Sequence, residues 1–201
     1  MDIAHLFENG FYLLALLNPA SKVLFLATYK PNLTKRQNIE LSWRSSLAAT
    51  IILSLLAAVG SFLFFKVFRV QLYSLQILGG LILFFIGWTA IIEGKFINKQ
   101  SDFLREGLNE ISLVPLATPL IAGPGMITAV ITQSVEFGLL FTLLSLTIAI
   151  FINFLLMLLS SQINIILNKV HLIGPLIRFA GLITGSVATQ MILTGIKCAM
   201  K

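Results

Sequence analysis

The sequence is poor in charged residues. Only 11% of its 201 residues are Asp, Glu, Lys or Arg, whereas 57% are hydrophobic. A soluble domain is about 45–50% apolar and about 25% charged. Because so few charges could not cover a water-facing surface, the composition excludes a soluble domain of any size.

The sequence also lacks the residue sets of common active sites. Cys198 is the only cysteine, so no internal disulfide can form, and His5 and His171 are isolated from each other. No Gly-rich phosphate loop, zinc motif or nucleophile elbow is present. The predicted spans contain no paired carboxylates and no Ser–His or His–Glu set, which argues against an intramembrane enzyme. We therefore expect no enzyme, no catalytic residue, no cofactor and no metal site.

Long uncharged stretches are what the chain does contain. Five of them have 18 to 25 residues and occupy 45–65, 70–92, 111–135, 138–159 and 179–196. A sixth, from residue 9 to 29, is interrupted by Lys22. A hydrocarbon core of about 30 Å needs about 20 residues, and backbone in lipid must satisfy its own hydrogen bonds. The prediction is an all-α polytopic membrane protein with six transmembrane helices, forming one membrane domain over residues 1–201.

The two halves of the chain resemble each other. The first predicted helix of each half is interrupted, by Asn18-Pro19 and by Gly123-Pro124-Gly125, and the third helix of each half carries a glycine segment at 79–83 or 180–184. An odd number of spans per half turns the second half upside down. We predict two inverted three-helix repeats, at about 7–95 and 111–201, joined by a linker at 96–110.

The positive charges predict an orientation. Six spans place both termini on one side, and that side carries four Lys or Arg residues, whereas the loops at 30–44, 93–110 and 162–178 carry nine. By the positive-inside rule, these three loops are cytoplasmic and both termini are periplasmic. The net charge of +6 is spread over such short loops, which favours topology determinants over nucleic-acid binding.

The interruptions are the strongest pointers to a functional site. Proline removes a backbone donor, and freed backbone at the bilayer midplane is tolerated only inside protein or beside a wet cavity. The alternative is a pair of packed kinks. Other polar residues of the spans, such as Gln76 and Gln190, are expected to bond between helices. The candidate substrate-binding residues are Asn18, Lys22, Thr118, Gly123, Pro124 and Gly125.

Lys22 allows two interpretations. It lies close enough to the cytoplasmic end of the first span to reach the lipid headgroups with its ammonium group. Alternatively, it presents a cation to an anionic solute inside the protein.

The segment VPLATPLIAGPG at residues 114–125 resembles the signature of the MarC family of bacterial inner-membrane proteins. Asn18-Pro19, the segment GGLIL at 79–83 and the segment at 188–196 fall where that family has similar segments. The resemblance covers nearly the whole chain. It implies six spans and a distant similarity to LysE-type exporters, and it implies no particular activity.

The sequence departs from the family pattern in the first helix. The usual run is Asn-Pro, an aliphatic residue, Gly, a small or polar residue and an aliphatic-Pro pair. Here Ser21 replaces the glycine, Lys22 follows, and Val23-Leu24 contains no second proline. We expect the first break to be milder than the second.

Two functions from different classes remain at this point. The first is a small-solute transporter, most readily an exporter, in which one repeat moves against the other. The second is a structural or regulatory membrane protein without a substrate path. The expected partners are the lipid bilayer and a small solute, with a second copy of the chain as a further option, and no nucleic acid. A polar cavity between the first and fourth spans would favour transport, and a dry seam of small residues would favour the structural role.

Overall fold

The structure is a computed structural model that describes residues 3–28, 34–94, 122–160, 162–163 and 173–200. Within these ranges the secondary structure is helical and no strand occurs. The α-helices are α1 (Ile3–Leu17), α2 (Pro19–Thr28), α3 (Lys35–Ser61), α4 (Leu72–Glu93), α5 (Pro124–Glu136), α6 (Leu139–Leu158) and α7 (Ile173–Ala199). The predicted all-α class is therefore confirmed.

Within the part of the chain that the structure describes, four helices are long and apolar enough to cross a bilayer. They are α3 with its π-helical extension Phe62–Val67, α4, α6 and α7, and each coincides with one of the uncharged stretches. The first predicted span is interrupted, because Asn18 separates α1 from α2. Of the fourth predicted span, the structure describes residues 122 and 123 and the 13 residues of α5. Residues 95–121, which precede α5 and include Thr118, lie outside the described residues.

The faces of the long helices are sorted by size and polarity. On α3, Ile39, Trp43, Ile51 and Leu55 are all more than half exposed. The opposite face of α3 buries mainly small or polar residues, namely Asn38, Ser42, Ser45, Ser46, Ala49, Ala57 and Gly60, together with Leu41 and Leu53. Large apolar residues outside and small residues at helix contacts are the arrangement expected of a protein packed in lipid. The structure thus agrees with a multi-pass membrane protein.

The helix ends correct two of the predicted loops. Thr34 accepts a bond from the Gln37 backbone, and the Gln37 side chain accepts one from the Thr34 backbone. Since this capping box starts α3 at Lys35, the predicted loop at 30–44 extends too far. The predicted loop at 162–178 also extends too far, because α7 begins at Ile173. The described charged residues Lys35, Arg36, Arg44 and Arg178 lie on helical turns beyond the uncharged stretches.

Helices that are distant in sequence pack in antiparallel pairs. The α4–α7 pair places Tyr73 against Gly195 and Gly87 against Gly181. The α3–α6 pair places Asn38 against Ser160 and Trp43 against Phe154. Helix α1 packs on α6, and α5 packs on α3 and α4. The residues around the two breaks, such as Leu17 and Met126, are buried in the bundle, whereas Phe11 of α1 and Phe137 after α5 remain exposed.

Candidate functional site

The break in the first span is centred on Asn18. Its φ of 50° is left-handed, which Asn adopts more readily than most residues, and Pro19 follows as the first residue of α2. The Asn18 backbone N–H still donates to Leu14 O at 3.1 Å, which closes α1. The Asn18 carbonyl then accepts from Ser21 N at 3.1 Å and from Ser21 Oγ at 2.8 Å. The predicted interruption is thus a single residue with well-bonded backbone.

The Lys22 side chain lies back along α2 toward this break. It is only 2% exposed, and its Nζ donates to Asn18 O at 3.4 Å. It therefore does not reach the headgroups. Among the described residues, no carboxylate lies within ion-pair distance of Nζ. The C-terminal end of α1 supplies partial negative charge beside the ammonium group.

Asn18 also links the break to α7. Its Nδ2 donates to Thr184 Oγ1 at 3.3 Å, and Thr184 Oγ1 donates in turn to Ala180 O at 3.0 Å. The side chains of Asn18 and Thr184 are both buried. This short chain of bonds fixes the first break against the last helix of the protein.

We expect Asn18→Ala to destabilise the protein and Asn18→Gly to cost less. Alanine strains the left-handed conformation by about 1–2 kcal/mol and also removes the bond to Thr184, whereas glycine removes only the bond. The measurement is the thermal unfolding temperature in detergent micelles. Equal losses for the two variants would contradict a conformational role for Asn18.

The second break lies at the start of α5. Gly123 is the N-cap residue with φ −67° and ψ 165°, and Pro124 is the first helical residue. Gly125 and Met126 follow in the first turn, where backbone N–H groups have no acceptor within the helix. Both residues are buried. Helices α2 and α5 thus both begin with a proline, and buried residues lie next to each of these starts.

The sequence-predicted residues are brought together only in part. Asn18 and Lys22 are bonded to each other, and Gly123, Pro124 and Gly125 form the second break. Leu17, next to Asn18, and Ala122, next to Gly123, belong to one buried cluster. Thr118 lies outside the described residues. The prediction that the first break is milder than the second also depends on residues 111–121, which lie outside the described residues.

A polar crevice lies between α1 and α5, and α4 and α7 complete its walls. Its volume is about 200 Å³. Its lining residues are Asn9, Tyr12, Gln76, Ala129, Thr132, Gln133, Glu136, Phe137, Gln190, Met191 and Thr194. Ala129 lies one helical turn, about 5.4 Å, from Gly125 in the second break. The crevice therefore extends from the end of the bundle that carries the chain termini toward the broken part of α5.

The amide side chains of the crevice have fixed orientations. Asn9 Nδ2 donates to His5 O at 3.1 Å, so Asn9 Oδ1 is the atom that accepts from Gln133 Nε2 at 2.9 Å. Gln76 Nε2 donates to a Glu136 carboxylate oxygen at 3.3 Å. A carbonyl and a carboxylate can only accept. Consequently both glutamine carbonyl oxygens are left over, and neither has a partner.

Sequence reasoning missed most of this crevice. It ended the fourth span at Val135, which left Glu136 as a flanking charge. The available signal was the polar row Thr128, Thr132 and Glu136, because residues four apart share one face of a helix. Gln76 and Gln190 were expected to bond between helices, and Gln76 does bond to α5.

Comparison with known proteins agrees with the membrane architecture. Residues 3–200 match the family described as MarC family integral membrane protein. A UPF0056 membrane protein of Pyrococcus horikoshii is 29% identical and covers 96% of this chain and 94% of its own length. A UPF0056 membrane protein of Buchnera aphidicola is 32% identical, with 94% and 91% covered. No solved structure matches the chain. The match over nearly the whole length, together with the helical bundle and the two breaks, places this chain in the MarC family of integral membrane proteins.

Proposed function

We propose that this protein is a carrier, not an enzyme, that moves a small solute across the bacterial inner membrane, with export as its direction. The carrier consists of two inverted three-helix repeats, 7–95 and 111–201, that together cross the bilayer six times. Solute binds near the two breaks, and one repeat moves against the other. Both chain termini and the mouth of the crevice face the periplasm.

The helix directions support inverted repeats. If α4 and α7 are the third helices of two repeats, an inverted relationship requires them to run antiparallel, as they do. The same holds for α3 and α6 as the second helices. The half-helices α2 and α5, which follow the two breaks, both start with proline. A repeat without inversion would make each of these equivalent pairs parallel.

The observation that carries the transport proposal is the polar crevice between α1 and α5. Three of its residues, Gln76, Thr132 and Gln133, are at most 7% exposed yet each keeps an oxygen without a hydrogen-bond partner. Such buried polar atoms are costly in a membrane protein unless water or a solute meets them. The crevice reaches within one helical turn of Gly125, near the start of α5. Carriers place their binding sites beside interrupted helices of this kind, at the interface between repeats.

The residues around the first break add a polar centre. Lys22 has three N–H donors, and the described residues provide one acceptor, Asn18 O. Lys22 therefore has two N–H donors that no described residue accepts, and water or a solute oxygen at the break would meet them.

The alternative structural role has its own observation in the α4–α7 seam. There Gly87 and Gly181 bring the two backbones into direct contact, and no polar side chain intervenes at that point. A dry seam of this kind is also compatible with a carrier, because α4 and α7 belong to different repeats and the seam is then a surface on which one repeat pivots against the other. The seam and the crevice therefore both lie at the interface between the two proposed repeats.

Thiol labelling in vesicles tests both the orientation and the carrier mechanism. Wild-type Cys198 is exposed at the end of α7, so a membrane-impermeant thiol reagent should label it in right-side-out vesicles only. In a Cys198→Ser background, Gly123→Cys should react from either face, because a carrier opens its break to both sides in turn. The negative φ of Gly123 accepts a cysteine without strain.

Two labelling results would contradict the proposed orientation or the carrier mechanism. Reaction of Cys198 only in inside-out vesicles would reverse the proposed orientation. Labelling of Gly123→Cys from neither face, or from one face only, would contradict alternating access and favour the structural role. Labelling in detergent provides the control that the introduced thiol is reactive.

A further inference from the structure

We infer that the crevice between α1 and α5 binds a small organic ammonium ion. The inference rests on the proposed function, because it names the class of solute that the carrier would hold at its periplasmic mouth before releasing it. It is drawn from the acceptor atoms, the charge and the walls of the crevice.

The buried polar atoms left over in the crevice are all oxygens. Asn9 and Glu136 each accept one amide N–H, from Gln133 and from Gln76 respectively, and the two glutamine carbonyl oxygens remain unpartnered. Thr132 Oγ1 is unpartnered as well. These three oxygens are covered by neighbouring atoms, so a donor in the crevice reaches them only after the glutamine and threonine side chains rotate. After such a rotation the two carbonyl oxygens, which can only accept, are complementary to a ligand that brings N–H or O–H donors.

The charge of the crevice selects a cation among such ligands. Glu136 is the last residue of α5 and is the one charged residue among the described lining residues. The C-terminal end of α5 adds partial negative charge at the same place, with Phe137 N already bonded to Gln133 O at 2.8 Å. An anion would meet repulsion at this mouth, whereas an ammonium group would meet a carboxylate.

The size and the walls favour an organic cation over a bare metal ion. A water molecule occupies about 30 Å³ in the liquid, so a crevice of about 200 Å³ holds several waters or one solute of comparable bulk. Ala129 and Met191 supply buried apolar wall for a short hydrocarbon chain. The rings of Tyr12 and Phe137 also line the crevice, and an aromatic face attracts an ammonium group.

The test is equilibrium binding to the purified full-length protein in lipid nanodiscs. The probe is n-butylammonium chloride, and the comparison compounds are n-butanol, sodium butyrate and sodium chloride at equal ionic strength. Isothermal titration should detect binding of n-butylammonium alone. Equal binding of butanol or butyrate would overturn the inference, and so would a signal that sodium chloride reproduces.

Matched variants locate the site. Glu136→Gln keeps the size of the side chain and a partner for Gln76, and it should weaken n-butylammonium binding about tenfold or more. Glu136→Asp should retain most of the affinity. Glu8→Gln removes a carboxylate whose side chain is 71% exposed on α1, and it should leave the affinity unchanged.

The ammonium site and the carrier mechanism can fail independently of each other in these experiments. A normal unfolding temperature for Glu136→Gln shows that the variant is folded, and unchanged affinity in it would overturn the ammonium site. Because binding is measured without a gradient, failure to bind leaves the two-sided labelling of Gly123→Cys unaffected. Conversely, one-sided labelling together with ammonium binding would mean a binding protein that does not transport.

Discussion

Gly181→Ala is expected to destabilise the bundle by about 1–3 kcal/mol, whereas Gly185→Ala, one turn along the same helix, should be neutral or slightly stabilising. A Cβ at Gly181 would lie 2.9 Å from Gly87 O and 2.8 Å from Ala90 Cβ. Backbone cannot rotate away as a side chain can, so α4 and α7 would have to separate. A Cβ at Gly185 meets nothing within 4 Å, and alanine favours helix over glycine by about 1 kcal/mol.

The measurement is unfolding of each variant in mixed micelles, followed by far-ultraviolet circular dichroism. Gly87→Ala should behave like Gly181→Ala, because its Cβ would lie 2.7 Å from Gly185 N and 2.8 Å from Gly181 O. If Gly181→Ala and Gly185→Ala unfolded alike, the α4–α7 seam would not have the contact described here. The variants also test the carrier, since the seam joins the two proposed repeats and transport should fail together with stability.

This pair of glycines shows how far sequence reasoning reaches. The spacing Gly181-x-x-x-Gly185 predicts close helix approach, and the seam has it. The spacing alone cannot distinguish the two positions, because the rotation of α7 about its axis decides which Cα–H points at α4. That rotation is set by contacts with residues roughly a hundred positions earlier in the chain, such as Gly87 and Ala90.

The breaks were predictable for a local reason, and the crevice was not. Asn-Pro and Gly-Pro-Gly restrict the backbone whatever surrounds them, so the interruptions at Asn18 and Gly123 follow from the sequence. The crevice forms only where four helices meet. Which glutamine oxygens remain without a partner depends on the residues to which the amide nitrogens donate. Glu136 shows the difference most clearly. In the sequence it is a charge between two apolar stretches, and in the fold it bonds to Gln76 at the mouth of the crevice.

Lys22 shows the same limit for a single side chain. The sequence allows the lysine either to reach the headgroups or to remain inside. The choice depends on an acceptor, Asn18 O, which lies 3.4 Å from Lys22 Nζ at the residue where the backbone turns. Local geometry at the break thus decides the direction of a charge four residues later.

Helix α5 begins directly after Gly123, with Pro124 as its first residue. We expect the double variant Gly123→Ala, Pro124→Ala to fold at least as stably as the wild type and to lose transport. Without Pro124, residue 123 is free to adopt helical backbone, and both changes favour helix. Replacing Gly125 as well would confuse the result, because a Cβ there would overlap the Leu83 side chain. The variant therefore keeps Gly125 and makes residues 123 and 124 compatible with a continuous helix, with the least disturbance to α4.

The readout separates a functional break from a packed kink. In proteoliposomes, uptake of radiolabelled n-butylammonium should fall to the level of empty liposomes, while its affinity in nanodiscs changes less than about twofold, because the crevice residues are untouched. Pro175→Ala is the matched control. Pro175 lies in the first turn of α7, where proline fits a helix without breaking it, so that variant should transport normally. Full uptake by the double variant would make Gly123-Pro124 a packing feature. Loss of uptake with unchanged binding would mean that the carrier needs unwound backbone at this depth to pass its solute between the two sides.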